Sequence, residues 1–160
     1  MKNLWLDLGE WGHLISPPGP LEQWQDHGLG LLRTILEQHR VYSDVHSTRL
    51  MHGPRELGKQ LGGYDQLLMN VRSYTFPFAV AAAQAFKKIN PQGLVIIGGM
   101  HCSVALSEVS ESYVFDRICV GAGEQIVSEL VADPRGCPRV LQTPSAGSMS
   151  DWPMVDRRLW

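Results

Sequence analysis

The chain has 160 residues, 44% hydrophobic and 19% charged, which suits one globular domain large enough to bury a core. Its formal net charge is −2 and its Lys and Arg residues form no run. This argues against nucleic acid as a partner, because neutralising phosphates needs clustered cations. No apolar stretch approaches the roughly 20 residues of a membrane helix, and Asp7 would interrupt a signal peptide, so no membrane partner is expected.

Along the chain, strand-like apolar runs alternate with helical patterns. The first strand is expected over residues 4–8, followed by a Gly- and Pro-rich loop over 9–20. Leu29, Leu32, Ile35 and Leu36 then recur at helical spacing. A short alternating run over 41–45 reads as an edge strand. A short helix follows over 54–61, with Pro54 near its start and Gly62-Gly63 beyond its end. The third strand, 66–71, ends at Arg72-Ser73-Tyr74. Pro77 opens a helix whose packing face is Ala79, Ala82, Ala83, Phe86 and Ile89, and Asn90-Pro91 stops it. The fourth strand, 94–97, is continuously apolar, as buried parallel strands are, and breaks at Gly98-Gly99. A fifth strand over 117–120 breaks at Gly121. A helix over 124–131 and an edge strand over 139–142 complete the pattern. This order predicts an α/β fold: a doubly wound, mainly parallel sheet of five or six strands, Rossmann- or flavodoxin-like, with helices on both faces and right-handed crossovers.

Three cysteines, Cys102, Cys119 and Cys137, make an odd number without a secretion signal. That argues for reduced thiols and a cytoplasmic location. Their spacings match no common zinc or iron–sulfur pattern, and Cys119 reads as a small core residue.

In such sheets a ligand lies outside the carboxyl ends of the strands, near a switch point. The candidate ligand-contacting residues are therefore those just after each strand. They are Trp11, Gly12 and His13 after the first, and Ser73, Tyr74 and Thr75 after the third. After the fourth come Gly98, Gly99, Met100, His101, Cys102 and Ser103, and after the fifth Gly121, Ala122, Gly123 and Glu124. Glycines there let backbone N–H groups approach a ligand closely, although a Gly-Gly pair also serves an ordinary tight turn. The chain has no G-x-G-x-x-G after the first strand and no P-loop, which counts against dinucleotides. Glu124 has a second explanation, since an acid suits a helix N-terminus.

The stretch from Lys88 to Glu124 contains Leu-Val-Ile-Ile-Gly-Gly-Met-His-Cys-Ser and then Phe-Asp-Arg-Ile-Cys-Val-Gly-Ala-Gly-Glu. It resembles the cobalamin-binding N-terminal domain of cobalamin-dependent radical S-adenosylmethionine enzymes. That family shows Gly-Gly-x-His after the fourth strand and Gly-Glu-Gly-Glu after the fifth. Asp151-Trp152-Pro153 with Asp156-Arg157 is similar to the linker that precedes the catalytic barrel there. The resemblance covers roughly residues 60–160. It implies cobalamin as cofactor, with residues 1–142 as the binding domain and 143–160 as a linker toward a radical S-adenosylmethionine barrel, in cis or in trans. It further implies a methyltransferase-like parent protein and no activity from this chain alone.

Two departures qualify the resemblance. Ala122 stands where the family has an acid. No Cys-x-x-x-Cys-x-x-Cys occurs, so the four-iron four-sulfur cluster and S-adenosylmethionine are expected only in the missing catalytic domain. No residue of this chain is assigned as a metal ligand. The Asp-x-His-x-x-Gly loop that supplies a lower cobalt ligand in other cobalamin proteins is absent, so neither His13 nor His101 is expected on cobalt. A side chain at Gly99 is expected to intrude on the nucleotide tail while sparing the fold. The alternatives are a stand-alone cobalamin carrier and a flavodoxin-like module with another ligand. The latter is weakened because the loop after the first strand is not a Ser/Thr-rich phosphate loop.

Overall fold

Alternation along the first strand divides the molecule into layers. β1 (Asn3–Asp7) turns Leu4 and Leu6 to one face of the sheet and Trp5 to the other, and all three are buried. The computed structural model describes residues 1–9, 11, 26–143 and 149–156. Within them β2 (Ser43–Ser47), β3 (Gln66–Asn70), β4 (Leu94–Gly98), β5 (Arg117–Val120) and β6 (Val140–Gln142) join β1 in one six-stranded sheet. Every pairing is parallel and the order is β2-β1-β3-β4-β5-β6. The chain reverses its direction of travel at β1 and β3, which makes their carboxyl ends the switch point of a doubly wound sheet.

The larger face carries Leu4, Leu6, Leu67, Met69, Val95, Ile97, Ile118 and Val120. Against it pack α2 (Pro54–Gln60), α3 (Phe76–Ile89), α4 (Met100–Val104) and α5 (Leu106–Glu111). Ala79, Ala82 and Ala83 bring α3 close to the sheet, as their small size allows, and Phe86 fills the space below them. Ile89 is the exception to the expected packing face: it is the last residue of α3 and is 44% exposed. The other face carries Trp5, Leu68, Ile96 and Cys119, covered by α1 (His27–Gln38) and α6 (Val127–Ala132). Gln66 ties α6 down by donating from Nε2 to the Val131 carbonyl at 2.9 Å.

α6 departs from the expected handedness. α1 and α6 lie on the same face, yet β1→β2 and β5→β6 travel across the sheet in opposite directions. Their connections therefore have opposite hands, and the rule that predicts right-handed crossovers fails for one of them. β6 is only three residues long, so little sheet pairing depends on the unusual connection. The expected helix over 124–131 is also split: Gly123–Gln125 forms a 3₁₀ turn and Val127–Ala132 the α-helix. Two short helices, α4 and α5, occupy a region without clear helical periodicity, and they are separated at Ala105 (φ −133°).

Candidate functional site

Between the Trp5 face of the sheet and the pair α1 and α6 lies a cavity of about 320 Å³. Its floor is Trp5, Leu68, Ile96 and Cys119, and its walls are Leu32 of α1 with Val127, Leu130 and Val131 of α6. Toward the carboxyl ends of the strands it is bordered by Gly98 and Gly99 after β4, and by Gly121, Ala122, Gly123 and Glu124 after β5. Trp152 adds an aromatic side from the C-terminal segment. Among the described residues lining it, Glu124 is the one charged side chain and Asn70 the one amide.

The geometry of that rim is set by hydrogen bonds between loops. Val71 N–H donates to the Gly98 carbonyl at 2.8 Å, and His101 N–H donates to the Val71 carbonyl at 3.1 Å. The loop after β4 is thereby laced to the end of β3. Gly121 N–H donates to Ser103 Oγ at 3.0 Å, which joins the loops after β4 and β5. Gly121 has φ +91°, and a Cβ there would lie 2.5 Å from Thr143 Oγ1. Asp26 caps α1 by accepting from Leu29 N–H at 3.0 Å, and its carboxylate also accepts from Asn70 Nδ2 at 3.1 and 3.2 Å. One carboxylate thus fixes both the start of α1 and the amide at the cavity mouth.

The candidate residues divide between the two faces. Gly98, Gly99, Gly121, Ala122, Gly123 and Glu124 border the cavity. His101, Cys102, Ser73 and Thr75 are tied into packing on the opposite side. His101 is buried against Phe76, ring centroids 4.3 Å apart, with Nδ1 3.1 Å from Ser73 Oγ. Its Nε2 faces the Glu108 carboxylate at 3.5 Å, beyond ordinary hydrogen-bonding distance. Cys102 is fully buried in the larger core. Thr75 Oγ1 is spent on its own turn, accepting from Arg72 N–H and donating to the Arg72 carbonyl, both at 3.0 Å. Ser103 holds Gly121, while Met100 and Tyr74 are exposed. Trp11 packs edge-to-face on Phe78 at 6.3 Å, also on the α3 side. Gly12 and His13 lie outside the described residues.

No protein-family model matches this chain, and no curated protein matches it.

Several cavity residues escape a reading of strand ends. Trp5 faces the cavity side because it is out of step with Leu4 and Leu6, a signal present in the alternation. Asn70 is the polar residue that closes β3 after the apolar run Leu67–Met69. Gly28 sits in the first turn of α1, where a Cβ would come within 3.2 Å of Asn70 Nδ2. Trp152 comes from the segment expected to be a linker. The C-terminal segment reaches α1 at Asp156, whose N–H donates to Thr34 Oγ1 at 2.9 Å. Leu32 belongs to the amphipathic face of α1 but borders the cavity.

Burial also sets the thiol chemistry. Cys119 in the cavity floor has its pKa pushed up to about 11, chiefly by burial and further by the Glu124 carboxylate. Cys102 is pushed up to about 12 by burial, with Cys119 adding to the effect. Both stay protonated at neutral pH and are poor nucleophiles or metal ligands. Among the described residues no group of three His, Cys, Asp or Glu side chains is placed to hold a metal ion, and no helix is long and apolar enough to cross a membrane.

Proposed function

We propose that this chain is a cobalamin-binding module, one that orients the cofactor for a radical S-adenosylmethionine catalytic domain in cis or in trans. The observation that carries the reading is the apolar cavity beneath the glycine loops after β4 and β5, at the carboxyl ends of parallel strands. Cobalamin needs two things of a protein: a rim broad enough for an amide-fringed corrin, and a narrow slot for its nucleotide tail. The cavity suits the second, since about 320 Å³ is at the small end of ligand pockets, and its lining is apolar apart from Asn70 and Glu124.

The rim suits the first. Backbone groups of Gly98, Gly99, Gly121 and Gly123 would meet the cofactor, and the side chains of Asn70 and Glu124 would meet its amides. When bound, the cobalt centre supplies the alkyl-transfer chemistry. The residues of this chain contribute binding and orientation, and they exclude water from the slot. The buried, protonated Cys119 offers no thiolate.

Gel filtration of the protein with hydroxocobalamin tests the reading. Corrin absorbance should travel with the protein peak. Elution of all corrin as free cofactor, from protein shown by circular dichroism to be folded, would overturn it.

A further inference from the structure

Among the described residues that line the cavity, Trp152 alone comes from outside the sheet, the loops at its carboxyl ends and the helices α1 and α6. The other walls are tied in. Gln66 holds α6 to β3, and hydrogen bonds lace the loops after β4 and β5 to their neighbours. The segment that carries Trp152 is held differently. Residues 152–156 belong to no helix or strand, and Met154 is 93% exposed. A surface cleft of about 470 Å³ remains between Met154 and Asp156 and the α1 residues Thr34, Glu37 and Gln38, so the segment is not tightly packed on the helix there. Its tie to α1 is the Asp156 N–H, which donates to Thr34 Oγ1 at 2.9 Å. Segments with little regular structure and little burial open at low free energy. We infer that this segment is a strap that closes the cavity: Trp152 is the wall it carries, the Asp156–Thr34 bond is its clasp, and release of the clasp admits molecules to the cavity.

The chemistry of the clasp is simple. Thr34 is 7% exposed, and its hydroxyl gives its one proton to the Gly30 carbonyl at 2.9 Å. The oxygen is left as a pure acceptor, turned to the Asp156 N–H. Two consequences follow from a strap held this way. Access to the cavity floor, where Cys119 lies, depends on how often the clasp is open. A molecule in the cavity that touches Trp152 favours the closed strap, and the closed strap retains the molecule, because the two equilibria are linked. A pull on the chain beyond Asp156, from a domain or a partner attached there, would act on the clasp first and so alter access. This deepens the proposed function by naming how its site is closed. It rests on the same cavity but not on the identity of what fills it. The competing account is static: Trp152 is there for its own burial, and the segment does not open.

The test is the rate at which methyl methanethiosulfonate modifies each cysteine of the ligand-free protein at mildly alkaline pH, followed by peptide mass spectrometry. Where opening and closing are fast, that rate follows the population of the open form. Thr34→Val keeps the shape of the side chain and removes the acceptor for Asp156 N–H. It should raise the Cys119 rate about three- to tenfold, the value of one hydrogen bond. Trp152→Ala, which removes the wall itself, should raise it at least as much. Cys137, partly exposed and not among the lining residues, should react at an unchanged rate, and Cys102, buried in the other core, should stay slow. An unchanged Cys119 rate in either variant overturns the inference. So does a rise of Cys119 and Cys102 together, which would mean general loosening and not a strap. Should the variants fail to fold, hydrogen exchange of the wild type decides: the Asp156 amide should exchange faster than that of Leu36 inside α1, and equally slow exchange overturns the inference. The two readings fail separately. Cys119 rates that rise as expected in a protein that retains no corrin would sink the cobalamin reading alone. Corrin retained by a protein whose Cys119 rates are unchanged would sink the inference alone.

Discussion

A Cβ on Gly99 would lie 2.3 Å from the side-chain oxygen of Asn70 and 2.7 Å from the backbone nitrogen of Val71. Both distances are far inside van der Waals contact, and neither neighbour is free to retreat. Val71 N–H is bonded to the Gly98 carbonyl, and Asn70 is bonded to the Asp26 carboxylate. Gly99 also has φ +100°, a region that L side chains rarely adopt. The glycine is thus required first by the joint between β3 and β4, before any ligand is considered.

Gly99→Val is accordingly expected to damage the fold and not only the site, contrary to what the loop sequence alone suggests. Backbone strain of this kind costs about 1–3 kcal/mol, and the clash with Val71 adds to it. For a domain of 160 residues this lowers Tm by at least about 2 °C. Differential scanning calorimetry of the purified variant measures it. An unchanged Tm would mean that the joint is looser than its hydrogen bonds indicate.

Gly123 behaves differently. A Cβ there would meet Leu32 Cδ2 at 3.5 Å and Cys119 Sγ at 3.8 Å, both ordinary contacts, and its φ is not positive. Gly123→Leu should therefore leave Tm within a few degrees of wild type while filling the cavity mouth. Loss of tenfold or more in cobalamin affinity is expected, measured by equilibrium dialysis. Full-strength binding by a folded Gly123→Leu protein would move the ligand away from this loop.

These two glycines show what the sequence could and could not reveal. The parallel sheet was legible because β3, β4 and β5 are short apolar runs ended by Asn70, Gly98 and Gly121, and local pattern suffices for that. The site was legible only as a ring of strand ends. A strand end points toward the rim but does not say which face the following side chain serves. His101 and Ser73 thus lie with Phe76, while Gly98 and Gly123 line the cavity. Trp5 and Trp152 lie 147 positions apart (152 − 5), and only tertiary packing brings both to one cavity. The short α4 and α5 were hidden because each spans barely more than a turn, too few residues for a period of 3.6 to declare itself.

Asp26 joins helix capping to the cavity mouth, and the two roles can be separated. Asp26→Ala removes the acceptor for Leu29 N–H and for Asn70 Nδ2, and a carboxylate 3.9 Å from Arg72 Nη2. A loss of about 1–2 kcal/mol in urea unfolding is expected. Asp26→Ser keeps a capping oxygen but cannot reach Asn70 with a second one. It should recover most of the stability while leaving Asn70 less fixed, and cobalamin binding should weaken relative to wild type. If both variants unfold alike, the cap is not what Asp26 contributes.

The buried thiols make stability fall at alkaline pH. In the fold Cys119 and Cys102 titrate near 11 and 12, raised by burial from an ordinary value of 9.0. Between pH 9 and those values the folded chain holds protons that the unfolded chain has lost. The unfolding free energy therefore decreases with rising pH, and the contribution fully present below pH 9 is gone once each folded pKa is passed. Each thiol adds a slope of roughly 1 kcal/mol per pH unit. Tyr64, raised from 10.0 to about 12 by burial and its hydrogen bond to Asp44, steepens the decline above pH 10. Urea unfolding across this range should show the fall. Cys119→Ala should flatten it from pH 9 to 11, and Tyr64→Phe only above pH 10. At mildly alkaline pH a disulfide reagent should modify the partly exposed Cys137 first and the buried Cys119 slowly. Cobalamin, by covering the cavity floor, should slow the Cys119 reaction further. Equal rates for Cys119 with and without bound corrin would place the cofactor elsewhere on the molecule.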